Sequence, residues 1–164
     1  MQLVAETAAP PTDHRAAYVD CVNLIRRAEM RLADAIKDAL DRRGYVGISA
    51  AQALMLHDIG EHRLRASDVR TTGCYLGLNA AYNLKKLTAA GLLQREESPD
   101  DKRVAFISLT VRGRAIAAIV GDAYAKHMRT IEKAGGINPD DLDRLRIMLR
   151  RLECFLHDQV RFQL

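Results

Sequence analysis

The chain has 164 residues, 48% apolar and 28% charged, which suits one globular domain with a sizeable core and excludes a disordered chain. Lys and Arg number 25 against 21 Asp and Glu, a formal charge of +4 that admits a polyanionic partner without requiring one. The excess is local: residues 1–60 carry net −1, residues 61–115 net +4 and residues 116–164 net +1.

Apolar runs are broken by Arg, Asp or Lys well short of the about 20 residues a membrane span needs. Met1–Pro11 hold Glu6 and no basic group, unlike a secretory leader, so a soluble, cytoplasmic protein is expected. Cys21, Cys74 and Cys154 are odd in number, far apart and without a CxxC pair, and the five histidines show no HExxH spacing. Neither a disulfide framework nor a metal site is expected. No nucleophile, base and orienting group fall together and no phosphate loop is present, so the chain reads as a non-enzyme without a cofactor.

Residues 1–12, with Pro10 and Pro11, read as a flexible arm. From His14 to Arg43 the residues Tyr18, Cys21, Ile25, Ala28, Leu32, Ile36 and Leu40 recur every three or four positions, predicting a long amphipathic helix that Gly44 ends. Ser49 with Gln52 forms a capping-box start for a short helix through Ala53, Leu54, Leu56 and Ile59, stopping at Gly60. A scrap of strand is expected near Arg63–Ala66. Ser67–Thr71 and Leu78–Ala90 read as two helices around a glycine-containing turn, the shape of a helix-turn-helix.

On the second of these, Leu78, Ala81, Leu84 and Leu87 or Thr88 form the expected apolar stripe, with Asn79, Tyr82, Asn83 and Lys86 on the opposite face. After Gly91, the segments 92–96 and 104–109 read as strands joined by a charged turn, Glu97–Arg103. Thr110 caps a helix reaching about Ala134, and Gly135–Gly136 stop it. Asn138 as N-cap, Pro139 next, and Asp140 and Asp141 in the first turn start a last helix, along which Leu142, Leu145, Leu149, Leu152 and Leu156 form a seam. The fold class is mainly α with a small β-hairpin wing, and the helix, turn, helix and hairpin coincide with the basic third.

Ser98-Pro99-Asp100-Asp101-Lys102-Arg103, the strand after it and Leu109-Thr110-Val111-Arg112-Gly113 resemble the MarR (multiple antibiotic resistance regulator) family of winged-helix transcription factors. The matching elements are a D-x-R wing tip (Asp101, Arg103) and an L-T-x-x-G helix start (Leu109, Thr110, Gly113), preceded by Leu87–Leu93 as the link from recognition helix to wing. The resemblance covers nearly the whole chain. It implies a winged-helix lobe at 48–110, a helical dimerisation region at 13–47 and 111–164, and a homodimer that binds double-stranded DNA and regulates transcription, more often as a repressor. It also implies release by a small aromatic or anionic effector held between the dimerisation helices and the lobe, for which Tyr45, Met55 and His57 are the lining candidates.

The side-chain chemistry agrees. Arg103 at a narrow hairpin tip suits a minor groove of concentrated negative potential, and Asp101 can brace it; the plain alternative is an idle exposed ion pair. Asn pairs in bidentate fashion with adenine, so Asn79 and Asn83 rank first for bases, while Tyr82 and Lys86 rank for phosphate. Lys102, Arg70 and Arg65, with Arg63, Lys85 and Arg95 nearby, complete the candidate basic surface. A symmetric dimer would hold two recognition helices about one DNA turn apart.

Two other readings stand beside this one. Cys21 lies near the place where a peroxide-sensing branch of the family keeps a reactive cysteine, and Cys74 lies in the helix-turn-helix turn; the alternative for Cys21 is a small packed hydrophobe among Tyr18, Val22 and Ile25. A helical protein-interaction adaptor that does not bind DNA is the other.

Overall fold

The computed structural model describes residues 13–71 and 78–162. In chain order these form α1 (His14–Asp41), α2 (Ala50–Ile59), β1 (Leu64–Arg65), α3 (Ala66–Thr71), α4 (Leu78–Ala89), β2 (Leu93–Glu97), β3 (Ala105–Leu109), α5 (Val111–Gly135) and α6 (Pro139–Phe162). The strands make one antiparallel sheet in the order β1-β3-β2, with Leu64 opposite Ile107 and Leu93 opposite Leu109. The expected scrap of strand therefore joins the hairpin as a third strand. Among the described residues no helix is long and apolar enough to cross a membrane.

Helix boundaries follow their caps. Ser49 Oγ accepts from the Gln52 backbone N–H and Gln52 Oε1 accepts from that of Ser49, both at 3.2 Å, a reciprocal capping box. Asn138 and Asp141 repeat the arrangement at the start of α6, at 3.0 and 3.2 Å. At α1 the Asp13 carboxylate accepts from the N–H groups of Arg15 and Ala16, a cap that sequence reading passed over.

The core gathers Ile36 and Leu40 from α1, Ala53, Met55, Leu56 and Ile59 from α2, and Ala80, Leu84 and Leu87 from α4. The sheet adds Ile107 and Leu109, and α5 adds Ile116, Ile119 and Val120. Helix α2 packs on both α1 and α5 and touches β3, so it is apolar nearly all round. Of the apolar positions expected along α1, only Ile36 and Leu40 are buried; Tyr18, Cys21 and Ile25 are exposed, because none of the described residues covers the N-terminal half of the helix. Helix α6 likewise has no buried residue between 139 and 159, and Leu145, Leu149 and Leu156 are each 40% or more exposed.

One junction ties the sheet to the long helices. Thr110 Oγ1 donates to the Gly91 carbonyl at 2.8 Å and accepts from the Gly113 N–H at 3.1 Å, while the Thr110 N–H donates to the Leu92 carbonyl at 3.1 Å. A Cβ on Gly113 would stand 2.1 Å from the Leu92 oxygen, so the glycine of the L-T-x-x-G start is there because the first turn of α5 rests directly on the backbone just before β2.

Gly121, in the middle of the same helix, would place its Cβ 3.8 Å from the His57 ring, an ordinary contact. We expect Gly113→Ala to cost about 2 kcal/mol or more by overpacking against a carbonyl that cannot retreat. Gly121→Ala should instead add up to about 1 kcal/mol from helix propensity. Urea midpoints of the two variants check this, and equal midpoints would refute the close approach.

Candidate nucleic-acid interface

Helix α4 is buried at Ala80, Leu84 and Leu87, while Ala81 is exposed. The stripe expected through Ala81 is thus rotated by about one position, because either alanine satisfies a helical period and only packing chooses between them. Tyr82 is 56% exposed, and the Lys86 ammonium lies 4.9 Å from its ring centroid, a cation–π pair one helical turn apart on the solvent face.

Asn83 sits three residues after Ala80 and four before Leu87, on the flank of the buried stripe. It is half-buried, and its Oδ1 accepts from Gln52 Nε2 of α2 at 3.4 Å. The expectation that Asn83 faces away from the apolar stripe is corrected accordingly. Asn79 and Arg70 belong to α4 and α3, but their side chains, like that of Leu78, lie outside the described residues, as does Cys74 altogether.

At the wing tip the Asp101 carboxylate holds Arg103 by three bonds: Oδ1 accepts from the Arg103 backbone N–H at 2.9 Å and from Nε at 3.1 Å, and Oδ2 accepts from Nη2 at 3.2 Å. The arginine side chain is nonetheless 91% exposed. It is oriented without being covered. Its guanidinium, and then its backbone N–H, hold the Asp101 carboxyl below the usual carboxylate range. Lys102 beside it is exposed.

On the outer face of the sheet the Arg63 guanidinium lies 4.1 Å above the Phe106 ring and pairs with Glu96 at 3.0 Å, bracing β2 and β3 against the chain before β1. Sequence reading saw Arg63 only as one of several bases; the signal it lacked is the register that puts Phe106 opposite Arg65. Arg65 is exposed on β1.

The residues expected to line an effector site do not converge. Met55 is fully buried in the core and is not available to a ligand, because α2 is covered by both α1 and α5. Tyr45 packs half-buried against the core, and His57 meets the Tyr124 ring edge-on at 5.2 Å. A groove of about 330 Å³ does run between α1 and α5, with Asp38, Arg42, Arg43, Asp122, Lys126 and His127 on its walls, and none of the three residues lines it. Arg43 and Asp122 bridge it at 3.0 Å. Cys21 and Cys154 are free thiols, both exposed in the single chain.

Residues 48–113 match the model of a winged helix DNA-binding domain. The fold is similar to that of a mutant MarR from E. coli complexed with operator DNA, with a TM-score of 0.66 at 20% identity over 86% of this chain and 99% of that one. The chain has the winged-helix fold. A second likeness is to the S. aureus MepR-DNA complex, with a TM-score of 0.68 at 16% identity over 81% of this chain and 96% of that one. In sequence it is 29% identical over 150 residues to the exopolysaccharide II synthesis transcriptional activator ExpG of Rhizobium meliloti, covering 92% of this chain and 77% of the relative. It is also 34% identical over 74 residues to the uncharacterized HTH-type transcriptional regulator YkoM of Bacillus subtilis, covering 44% and 46%.

The D-x-R tip of this wing carries a pH signature. A carboxyl whose folded pKa is depressed contributes above its unfolded value and loses that contribution as pH falls through the folded one. We expect an NMR titration to show Asp101 ionising at lower pH than the same residue in Arg103→Ala. Coincident titration curves in the two proteins would mean the carboxylate does not hold the arginine.

Proposed function

We propose that this chain is a sequence-specific regulator of transcription that binds duplex DNA as a homodimer, with α4 in the major groove and the 97–103 wing in the minor groove. The observation that carries the reading is Arg103: a guanidinium braced by Asp101 yet 91% exposed, at the tip of a hairpin in the lobe that also exposes Tyr82 and Lys86. A stabilising ion pair needs no such exposure, and a groove-reading arginine does. The match of 48–113 to a DNA-binding domain model and the DNA complexes among its structural likenesses support the same reading.

The dimer is supported by apolar surface that the single chain leaves open. Tyr18, Val19, Leu24, Ile25 and Met30 on α1, and Leu145, Ile147, Met148, Leu149, Phe155 and Leu156 on α6, are all exposed. Each such side chain is worth about 1.5–3 kcal/mol when fully buried, so residues 13–47 and 111–164 act as the dimerisation region around a lobe at 48–110. Repression is what the family resemblance favours. Activation is the second reading, favoured by the name of the R. meliloti relative. An anionic effector would find Lys126 and His127 in the α1–α5 groove beside the Arg42–Asp38 and Arg43–Asp122 ion pairs.

Selection from random DNA by the purified protein should return a pseudo-palindrome with half-sites about one helical turn apart. Arg103→Ala should weaken binding to it about tenfold or more without altering the melting curve, and log affinity should fall with log salt by about 0.9 per phosphate contacted. A salt slope near zero, or unchanged affinity for the variant, would remove the DNA reading. Sedimentation should show a dimer at micromolar concentration that Ile25→Asp with Leu149→Asp converts to monomer; a monomeric parent chain would contradict the homodimer.

A further inference from the structure

Gln52 is the one buried polar side chain among the described residues, 8% exposed, and its amide is used from both sides. Its Oε1 accepts from the Ser49 N–H at the α2 cap. That N–H can only donate, so the amide is oriented with Nε2 turned away from the cap. Nε2 then meets Asn83 at 3.4 Å, and because an amide nitrogen only donates, Asn83 must present its carbonyl oxygen inward. The bidentate pairing of asparagine with adenine uses carbonyl and amide together, and here the carbonyl is turned inward to Gln52.

The position of Asn83 agrees with that commitment. It lies on the side of α4 that carries Ala80, Leu84 and Leu87 into the core, while Tyr82 and Lys86 point to solvent. Among the described side chains, the other contacts that set the rotation of α4 about its own axis are the smooth apolar ones of Ala80, Leu84 and Leu87, at a helix where two neighbouring alanines, Ala80 and Ala81, compete for the buried place. The bond at Asn83 is directional where those contacts are not. It also links the angle of α4 to the capped end of α2, the helix packed against α5.

We infer that Gln52 and Asn83 form a latch that sets the rotation of the recognition helix, making Asn83 a positioning residue and not a reader of bases; this rests on the DNA-binding reading above. Asn83→Asp separates the two roles. An aspartate keeps the acceptor that Gln52 needs but loses the amide protons and gains a charge that DNA repels.

The readout is the ratio of affinity for the selected sequence to affinity for unrelated DNA at matched salt, with thermal melts confirming that each full-length variant folds. Asn83→Ala and Gln52→Leu should each lower the ratio about threefold to tenfold, and the double variant should be no worse than either single one. Asn83→Asp should keep the parent ratio and the parent base preferences, its affinity for all DNA falling together. The proposal is overturned if Asn83→Asp is as unselective as Asn83→Ala, or if it shifts one position toward cytosine, whose exocyclic amine a carboxylate accepts from.

A DNA-free measurement keeps the two readings apart. Exchange of the Gln52 side-chain amide protons, followed by NMR, should be slow in the parent and in Asn83→Asp and fast in Asn83→Ala. Equally fast exchange in parent and Asn83→Ala overturns the latch whatever the DNA result. If slow exchange is found but no DNA sequence is selected, the DNA-binding reading falls and the Gln52–Asn83 bond stands alone.

Discussion

The structure turns on the close approach of Gly113 to the Leu92 carbonyl. At that point the chain entering β2, the chain leaving β3 and the first turn of α5 meet within hydrogen-bond distance, with Thr110 bonded to Gly91 and Leu92 on one side and to Gly113 on the other. A hairpin bonded at its base to a helix start cannot swing independently of that helix. Because α5 goes on to pack against α1 and α2, the direction of the wing and the direction of the long helices are one variable and not two.

Around that junction the polar contacts orient more than they stabilise. Exposed ion pairs contribute little to folding, and those of the wing are exposed on both partners. Their effect is geometric: Arg63, stacked on Phe106 and paired with Glu96, ties the strands to the chain before β1, and Asp101 restricts the directions open to Arg103. A side chain restricted in this way loses less freedom when it meets a partner, which is where such a pair repays its ordering. The Gln52–Asn83 bond differs in being shielded at one end, and so can set an angle that apolar packing alone leaves loose.

The long helices are two-sided in a way that the lobe is not. Helix α1 gives Ile36 and Leu40 to the core of its own chain and then runs on with Tyr18 to Met30 in solvent, while α6 buries nothing over residues 139–159. A single chain thus buries the core of the 48–113 lobe and leaves apolar side chains of its long helices exposed, which are the faces the proposed homodimer would use.

Much of this was legible in the sequence because it is written in short-range rules. Ser49 and Gln52, Asn138 and Pro139, Thr110 and the glycines at 44, 60, 91 and 136 mark helix ends through bonds made within three or four residues, and the observed elements begin and end where these residues stand. The polar turn between two apolar strands marks the wing in the same local way. What the sequence could not decide is everything that depends on which neighbour arrives from elsewhere in the chain. Periodicity left Ala80 and Ala81 equivalent, and packing on the core chose Ala80, turning Asn83 from the solvent face toward Gln52, 31 residues away. Met55 looked like a cleft residue until α1 and α5 closed over α2, and Gly113 looked like a motif letter until the Leu92 oxygen stood where its Cβ would be. Local chemistry sets where helices and strands start and stop; the rotation of each about its own axis is set by long-range contact, and that rotation decides which side chains face a partner.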